Sequence, residues 1–288
     1  MILIMIAIDN KLLTIEHVSR EGGSHTMPAK HYHEGYEIYY LLEGERYYFI
    51  EDRTYRVRKG NLVLINKNIL HRTIDTENPD HERILIEFHE NFLKPYSKET
   101  KDISLYSIFK QKQFVYTLNV EEQLWLENHL FKMIKEKKSK NKGYVSYIRL
   151  LLIELLIYFN RQLKIDSISI VEYPDPTHEK MAEIASFISK NYNSDLSLKN
   201  VASLFNYSST YLSRTFKQVT GFSFVEYKNN IRIKEARKLL QQTDLNISDI
   251  SSMVGYNNLT HFGRIFKEIT NYSPLNYRKL MSMKRSSK

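Results

Sequence analysis

The sequence predicts an α+β protein of two domains. The first is an N-terminal antiparallel β-barrel with an added helical hairpin, and the second is built only of helices. Three observations predict this class. Short segments rich in β-branched and aromatic residues fill the first third of the chain. After these segments, apolar residues recur at helical spacing. A segment near the C-terminus is repeated fifty residues later.

The predicted strands are short and are separated by Gly, Asn and Asp. The apolar stretch 1–8 has no basic leader and is too short to cross a bilayer, so it predicts a buried strand and no membrane segment. Several short strands with tight turns favour a barrel or a sandwich. We assign residues 1–118 to this domain. Its other strands are predicted at 36–42, 46–50, 54–57, 62–65 and 84–88.

A helical hairpin is predicted over 119–164. Apolar residues recur at helical spacing on both sides of a basic break at 137–143. The second helix is apolar over more than one stripe, so we expect it to be covered on two sides, by the barrel and by a second copy of the chain. The hairpin is therefore predicted to form a homodimer.

The excess positive charge lies in the last predicted domain, 179–288. It follows a predicted linker, 165–178, which contains Pro174 and Pro176. The domain carries 17 Lys and Arg against 8 Asp and Glu, whereas the rest of the chain is balanced, for a net charge of +9. This imbalance indicates a polyanionic partner. The absence of Cys excludes thiolate metal sites and fits a reducing, cytoplasmic compartment.

The internal repeat predicts two helix-turn-helix units, because segment 214–228 returns as 264–278. The second helix of each unit has an apolar stripe opposite a polar, basic one, which suits the major groove of duplex DNA. An ordinary solvated helix face would explain one copy, but two copies in a basic domain favour DNA binding. The candidate DNA-binding residues are Ser208, Ser209, Thr210, Ser213, Arg214 and Lys217, then Asn258, Thr260, His261, Arg264 and Lys267.

Polar residues and Gly predict the ends of these helices. Residues 208–209 and 257–258 can cap the two DNA-facing helices, which Gly221 and Asn271 end. The joining helix, 224–240, sets their separation, which should be about 34 Å if they enter successive major grooves.

The C-terminal third carries the pattern Ala202, Tyr207, Leu212-x-Arg214-x-Phe216-Lys217, Gly221, Arg232, Ala236-x-x-Leu239-Leu240, Gly255-Tyr256, Phe262-x-Arg264-x-Phe266-Lys267, Ser273-Pro274 and Tyr277-Arg278. This pattern resembles the AraC/XylS family of transcription regulators. This resemblance implies that Thr210, Ser213 and Arg214 face bases in one groove. It implies that Thr260, His261 and Arg264 face bases in the next. Asn271, Ser251 and Phe224 depart from the family's usual Gly, Ala and Pro.

The N-terminal domain resembles a cupin barrel. The segment His31-x-His33-x3-Glu37-x6-Gly44 has the spacing of the first cupin motif, and the segment from Gly60 to Asp75, with His71, matches the second in part. His31 and His33 share a face of a strand. With Glu37 and His71 they could bind a divalent metal. The same residues could instead line a metal-free effector pocket, together with Tyr39, or form a buried polar cluster.

Three functions compete at this point. The first is a transcription regulator, an activator or a repressor, that is controlled by a small molecule. The family resemblance implies that this molecule is a carbohydrate. An activator would also contact RNA polymerase. The second is a cupin metalloenzyme with an accessory helical domain. The third is a constitutive DNA-binding protein with an oligomerising barrel. We predict the regulator and no enzyme activity, because the basic repeat has no role in an enzyme.

Overall fold

The protein has two compact units in the computed structural model, which describes residues 2–8, 12–22, 33–96, 103–162 and 175–286. Among these residues, one unit contains most of an antiparallel sheet, three α-helices and two short 3-10 helices, and the other consists mainly of α-helices. The predicted α+β class is therefore confirmed. No helix in these ranges is long and apolar enough to cross a membrane.

The sheet has eight strands in the order β1-β2-β7-β3-β5-β8, and β4 and β6 also pair with β3. Within the described residues the end strands β1 and β8 do not pair, so the predicted barrel is barrel-like without closing. The strands are β1 (Ile2–Ile8), β2 (Leu13–Arg20), β3 (Tyr36–Ile50), β4 (Arg53–Arg58), β5 (Asn61–Ile65), β6 (His71–Asp75), β7 (His81–Phe88) and β8 (Val115–Thr117).

Strand β3 is one continuous strand, although the sequence predicted two. A register shift between Leu41 and Glu43 keeps it paired with β7, and its second half pairs with β6. Gly44, with φ +87°, follows this bulge, and a Cβ there would lie 2.3 Å from the Asp80 carbonyl oxygen. The bulge reverses the alternation: Tyr39 before it and Tyr48 after it pack in the same apolar cluster.

The other face of the sheet packs against the predicted helical hairpin. After the short helix α1 (Glu90–Leu93), the hairpin consists of α2 (Val120–Ser139) and α3 (Tyr144–Gln162). A capping box between Asn119 and Glu122 begins α2. Buried residues of both helices join strand residues in one core, which lies opposite the sheet face that carries Tyr39.

The second unit begins with Asp175, which caps the first of seven helices at Pro176. This start lies three residues before the predicted end of the linker, whose residues 165–174 are outside the described ranges. The helices are α4 (Pro176–Lys190), α5 (Leu198–Leu204), α6 (Ser209–Thr220), α7 (Phe224–Gln242), α8 (Ile247–Met253), α9 (Leu259–Thr270) and α10 (Pro274–Ser286).

Two helix-turn-helix units are present, α5 with α6 and α8 with α9. The turns use left-handed residues, Asn206 with φ 60° and Gly255 with φ 88°. The predicted caps are confirmed. Ser208 and Asn258 begin the second helices, and Gly221 and Asn271 end them in the left-handed conformation.

Candidate effector site and nucleic-acid interface

A carboxylate lies between two imidazoles inside the sheet domain. Glu37 of β3 is 1% exposed, and its Oε2 lies 3.1 Å from His33 Nε2 and 3.3 Å from His71 Nε2. The Tyr48 hydroxyl donates a hydrogen bond to the other oxygen of the carboxylate. The structure thus brings together three of the residues that the cupin spacing singled out. His31, the fourth, lies outside the described residues.

Backbone carbonyls fix the orientation of both imidazoles. His33 Nδ1 lies 3.0 Å from the Gly35 carbonyl oxygen, and His71 Nδ1 lies 2.8 Å from that of Ile69. A nitrogen facing a carbonyl must carry a proton, so Nδ1 is the donor in each ring. Both Nε2 atoms therefore face the carboxylate of Glu37.

This arrangement favours positive charge beside Glu37. Burial by itself would lower the pKa of His33, but its hydrogen bond to Glu37 and the charges of Glu37 and Glu87 raise it to about 9. Burial would raise the pKa of Glu37, but His71 and His33 hold it well below its usual range. In the absence of another cation, His33 is thus protonated at neutral pH.

The three side chains also fit a divalent cation. One ligand atom each from His33, Glu37 and His71 lies within 4.8 Å of the other two. Two imidazole nitrogens and a carboxylate oxygen suit Zn²⁺, Mn²⁺, Fe²⁺ or Ni²⁺, and the carbonyl-bound Nδ1 atoms resemble the outer hydrogen bonds of metal sites. A bound ion would replace the proton of His33 as the positive charge at Glu37.

Tyr39, the remaining predicted pocket residue, is close to this centre. It is 2% exposed, and its ring meets the ring of Tyr48 edge-on with centroids 5.2 Å apart. The guanidinium of Arg83 lies 5.7 Å from the Tyr39 ring centroid. Arg83 also donates to Glu16 at 3.3 Å. Tyr39 therefore belongs to a polar wall made by β2, β3 and β7.

Sequence reasoning missed three residues of this interior, Tyr48, Arg83 and Glu87. Tyr48 was hidden by the bulge, which places an even-numbered residue on the face of Glu37 and Tyr39. Arg83 and Glu87 alternate with the apolar Ile84, Ile86 and Phe88 on β7, a signal that was present in the sequence. That alternation could not show which strand β7 pairs with.

The first candidate DNA-binding surface lies on α6. Thr210, Arg214 and Lys217 are exposed, and the opposite side of the helix is buried, including Leu212 and Phe216. Ser209 and Ser213 are half-buried. Ser208 is exposed, and its hydroxyl oxygen accepts a hydrogen bond from the Tyr211 amide as the helix cap.

The corresponding surface on α9 has the same layout. Its predicted residues are all exposed: Asn258, Thr260, His261, Arg264 and Lys267. The side chain of Asn258 caps the helix by accepting from the His261 amide at 2.8 Å. Arg264 lies 3.6 Å from Glu268 one turn later.

A buried arginine of α7 connects the turn of the second helix-turn-helix unit to the segment that precedes the first unit. Arg232 donates to the carbonyl oxygens of Tyr192 at 2.7 Å and Ser194 at 2.9 Å. Its guanidinium lies 5.2 Å from the ring centroid of Tyr256, in the turn of the second unit. A Cβ on the neighbouring Gly255 would lie 2.7 Å from Arg232 Nη2. This packing ties the second turn to the segment that precedes the first unit.

Comparison with known protein families covers most of the chain. Residues 13–141 match a family model described as an AraC-like ligand binding domain, and residues 201–280 match one described as a helix-turn-helix domain.

Individual relatives match over different lengths. The uncharacterized HTH-type transcriptional regulator YfiF of Bacillus subtilis is 28% identical over 89% of this chain and 81% of its own length. The melibiose operon regulatory protein of Escherichia coli K12 is 23% identical over 91% of this chain and 87% of its own. The bifunctional transcriptional activator/DNA repair enzyme AdaA of Bacillus subtilis is 34% identical, but over 38% of this chain and 56% of its own.

The sheet domain and the paired helix-turn-helix units define a DNA-binding transcription regulator with an N-terminal ligand-binding domain. The resemblance seen in the sequence is confirmed: the chain belongs to the AraC family of transcription regulators.

Proposed function

We propose that this protein is a sequence-specific transcription regulator whose DNA binding is controlled by a small molecule in the sheet domain. The observation that carries the proposal is the repeated surface of α6 and α9. Both helices expose an Arg and a Lys at equivalent positions, Arg214 with Lys217 and Arg264 with Lys267. Each is anchored by a buried apolar stripe, the arrangement that major-groove helices use.

The exposed side chains suggest separate roles at the DNA. Arg214 and Arg264 can each donate two hydrogen bonds to guanine O6 and N7. Thr210, Thr260 and His261 lie one turn earlier, where they would face neighbouring base edges. The lysines and the two capping residues would contact phosphates, which position the protein without specifying sequence.

The proposed effector site is the interior around Glu37, His33 and His71, with Tyr39 at its wall. A carbohydrate is the proposed effector. One supporting observation is the relative named for the melibiose operon, since melibiose is a sugar. A second is the chemistry of Glu37, a buried carboxylate that can accept hydrogen bonds from ligand hydroxyls. The effector would act by binding more tightly to the DNA-competent state of the protein.

A metal ion is a second candidate occupant, favoured by the convergence of His33, Glu37 and His71. Isothermal titration with Zn²⁺ or Mn²⁺ distinguishes the two. Stoichiometric binding that Glu37→Gln abolishes would support the metal, and unchanged binding in that variant would rule this site out.

Assembly and location extend the proposal. We propose that the hairpin of α2 and α3 joins two copies of the chain, since it exposes apolar residues such as Leu124, Phe131 and Leu150. The protein would act in the cytoplasm, where its DNA lies, and would contact RNA polymerase if it activates transcription.

Fluorescence anisotropy with duplex DNA tests the central proposal. The full chain is titrated into the promoter region next to its own gene and into a scrambled duplex at the same salt. We expect the promoter to bind at least about a hundredfold more tightly, with an affinity that falls steeply as salt rises. Equal, weak binding to both duplexes, in the presence and absence of candidate sugars, would contradict a sequence-specific regulator.

A further inference from the structure

We propose that the effector carries a carboxylate, and that Arg83 and Tyr39 bind it. This inference deepens the proposed function, on which it rests, by naming an acidic group on the small molecule. The proposed ligand is thus an organic acid, such as a sugar acid, in place of a neutral sugar. Its remaining polar groups would face Glu37 and His71.

The two residues face the same interior on neighbouring strands. In the register of β3 with β7, Tyr39 pairs with Leu85 and Leu41 pairs with Arg83. Side chains two residues apart share a face, so Tyr39 and Arg83 project from the same side of the sheet. Their contact, 5.7 Å from the guanidinium carbon to the ring centroid, agrees with that placement.

Both residues hold buried donors without acceptors among the described residues. These donors are the hydroxyl of Tyr39 and Nη1 of Arg83. A buried polar group that lacks a partner costs stability, and a ligand that supplies the partner is one way in which this cost is recovered. Two of them on one wall indicate a missing acceptor.

The two free donor atoms of the wall suit a carboxylate as that acceptor. Glu16 binds Arg83 only through Nη2 and at 3.3 Å, which is long for a bond between charged groups. Arg46, by contrast, is closely paired with Asp75. A carboxylate has two oxygens, which match the two free donors, whereas a phosphate would need more donors than this wall provides.

Acetate tests the inference because it is a small carboxylate, so the identity of the full effector is not needed. The full chain is titrated with sodium acetate replacing sodium chloride at constant ionic strength, and thermal unfolding is followed. We expect a saturable rise in the midpoint. Tyr39→Phe and Arg83→Gln should each weaken acetate binding roughly tenfold or more.

Tyr40→Phe is the matched control. Tyr40 is the next residue and equally buried, but it faces the helices and donates to Glu127 at 2.7 Å. Its loss should lower the unfolding midpoint of the free protein and leave acetate binding unchanged. Tyr39→Phe should leave the midpoint of the free protein unchanged or raise it, because it removes an unpaired hydroxyl.

Several outcomes would overturn the inference: no saturable acetate effect, equal acetate binding by Tyr39→Phe, stronger binding of inorganic phosphate, or a loss of stability in Tyr39→Phe as large as that in Tyr40→Phe. Promoter binding is measured on the same preparations. Promoter binding without acetate binding removes this inference alone, whereas acetate binding without promoter binding removes the regulator proposal alone.

Discussion

Two buried arginines of the helical unit differ from the buried polar groups around Glu37 and Tyr39 in the sheet unit. In the helical unit, buried Arg232 and Arg237 find partners in the structure itself. Arg232 binds two backbone carbonyls, and Arg237 donates to the hydroxyl of Tyr277 at 2.8 Å. In the sheet unit, the hydroxyl of Tyr39 and Nη1 of Arg83 have no acceptor among the described residues, and two imidazoles converge on the single carboxylate of Glu37.

This difference distinguishes buried polar groups that stabilise the fold through hydrogen bonds within the protein from buried polar groups whose partner would be a ligand. Satisfied groups rigidify the helical unit, whose working surface is the exposed side of α6 and α9. Groups that lack a partner, or that need a cation, lower the stability of the sheet unit until a ligand binds. Four predictions can break or sharpen this contrast.

The largest effect is expected from Arg232→Met. It removes the hydrogen bonds from the guanidinium to the carbonyl oxygens of Tyr192 and Ser194, of which the Ser194 oxygen keeps the Leu196 amide as a donor at 2.9 Å. We expect the free energy of unfolding of the helical unit to fall by about 3 kcal/mol. Chemical denaturation measures it. Arg214→Met, at an exposed position, is the control and should change stability by less than about 0.5 kcal/mol. Equal effects would show that Arg232 is not a structural tie.

Glu37→Gln should have the next largest effect, about 1–3 kcal/mol of stability at pH 7, because it removes the charge that His33 pairs with. The pKa of His33 should fall from about 9 towards its ordinary value of 6.5. The folded pKa of His33 is raised, so its stabilisation is complete below pH 6.5 and is lost as pH rises through 9. The variant should lack this loss. Histidine NMR titration with a chelator present measures the pKa, and an unchanged value would contradict the pairing.

Lys137→Met should stabilise the protein by about 1–3 kcal/mol at pH 7. Lys137 of α2 is 1% exposed, and its amine has no hydrogen-bond partner among the described residues. Burial lowers its pKa from 10.5 to about 8, against the opposing charge of Glu16.

The pH dependence of stability checks this third prediction. Between pH 8 and 10.5 the unfolded chain binds a proton that the folded protein does not, so Lys137 makes stability rise with pH in this window. Lys137→Met should be more stable below pH 8 and should lack that rise. Exposed Lys138→Met is the control; a gain in stability there as large as at Lys137 would exclude burial as the cause.

The smallest effect is the difference between two variants of the DNA surface. Arg214→Ala and Arg264→Ala should each weaken promoter binding by about 1–3 kcal/mol, mainly at one base position. Arg264 has Glu268 one turn later, whereas Arg214 has Gln218 there. Freeing Glu268 beside the DNA should make the loss at Arg264 larger by about 0.5 kcal/mol. Anisotropy with single-base promoter variants measures both, and equal losses on random DNA would indicate phosphate contacts.

Most of the fold could be predicted from the sequence because its signals are local. The repeat and its caps predicted the ends of α6 and α9 to within a residue. Gly221 and Asn271 end these helices because they take the left-handed conformation that a helix C-terminus needs. Strand β6, in contrast, was not predicted. Its polar sequence, His71–Asp75, lacks a strand pattern, and only its pairing with β3 makes it a strand.

The site was predictable only in part, for a similar reason. His33, Glu37 and His71 come together as the cupin spacing predicted, but His33 lies in the irregular segment before β3 and not on a strand as predicted. The hydroxyl of Tyr48 and the guanidinium of Arg83 reach the same interior through a bulge and through strand pairing, which are set by tertiary contacts. Alternation along one strand could not show either.

The packing of Arg232 against Gly255 and Tyr256 has a consequence for the genome as well as for the protein. If α6 and α9 cannot move independently, the protein fixes the distance between the two short DNA sequences that they recognise. Insertion of about 5 base pairs, half a helical turn, between the two recognition sequences would place one of these sequences on the opposite face of the duplex. A promoter bound by this regulator can then tolerate single base substitutions within a recognition sequence, but it cannot tolerate a change in the spacing between the two sequences.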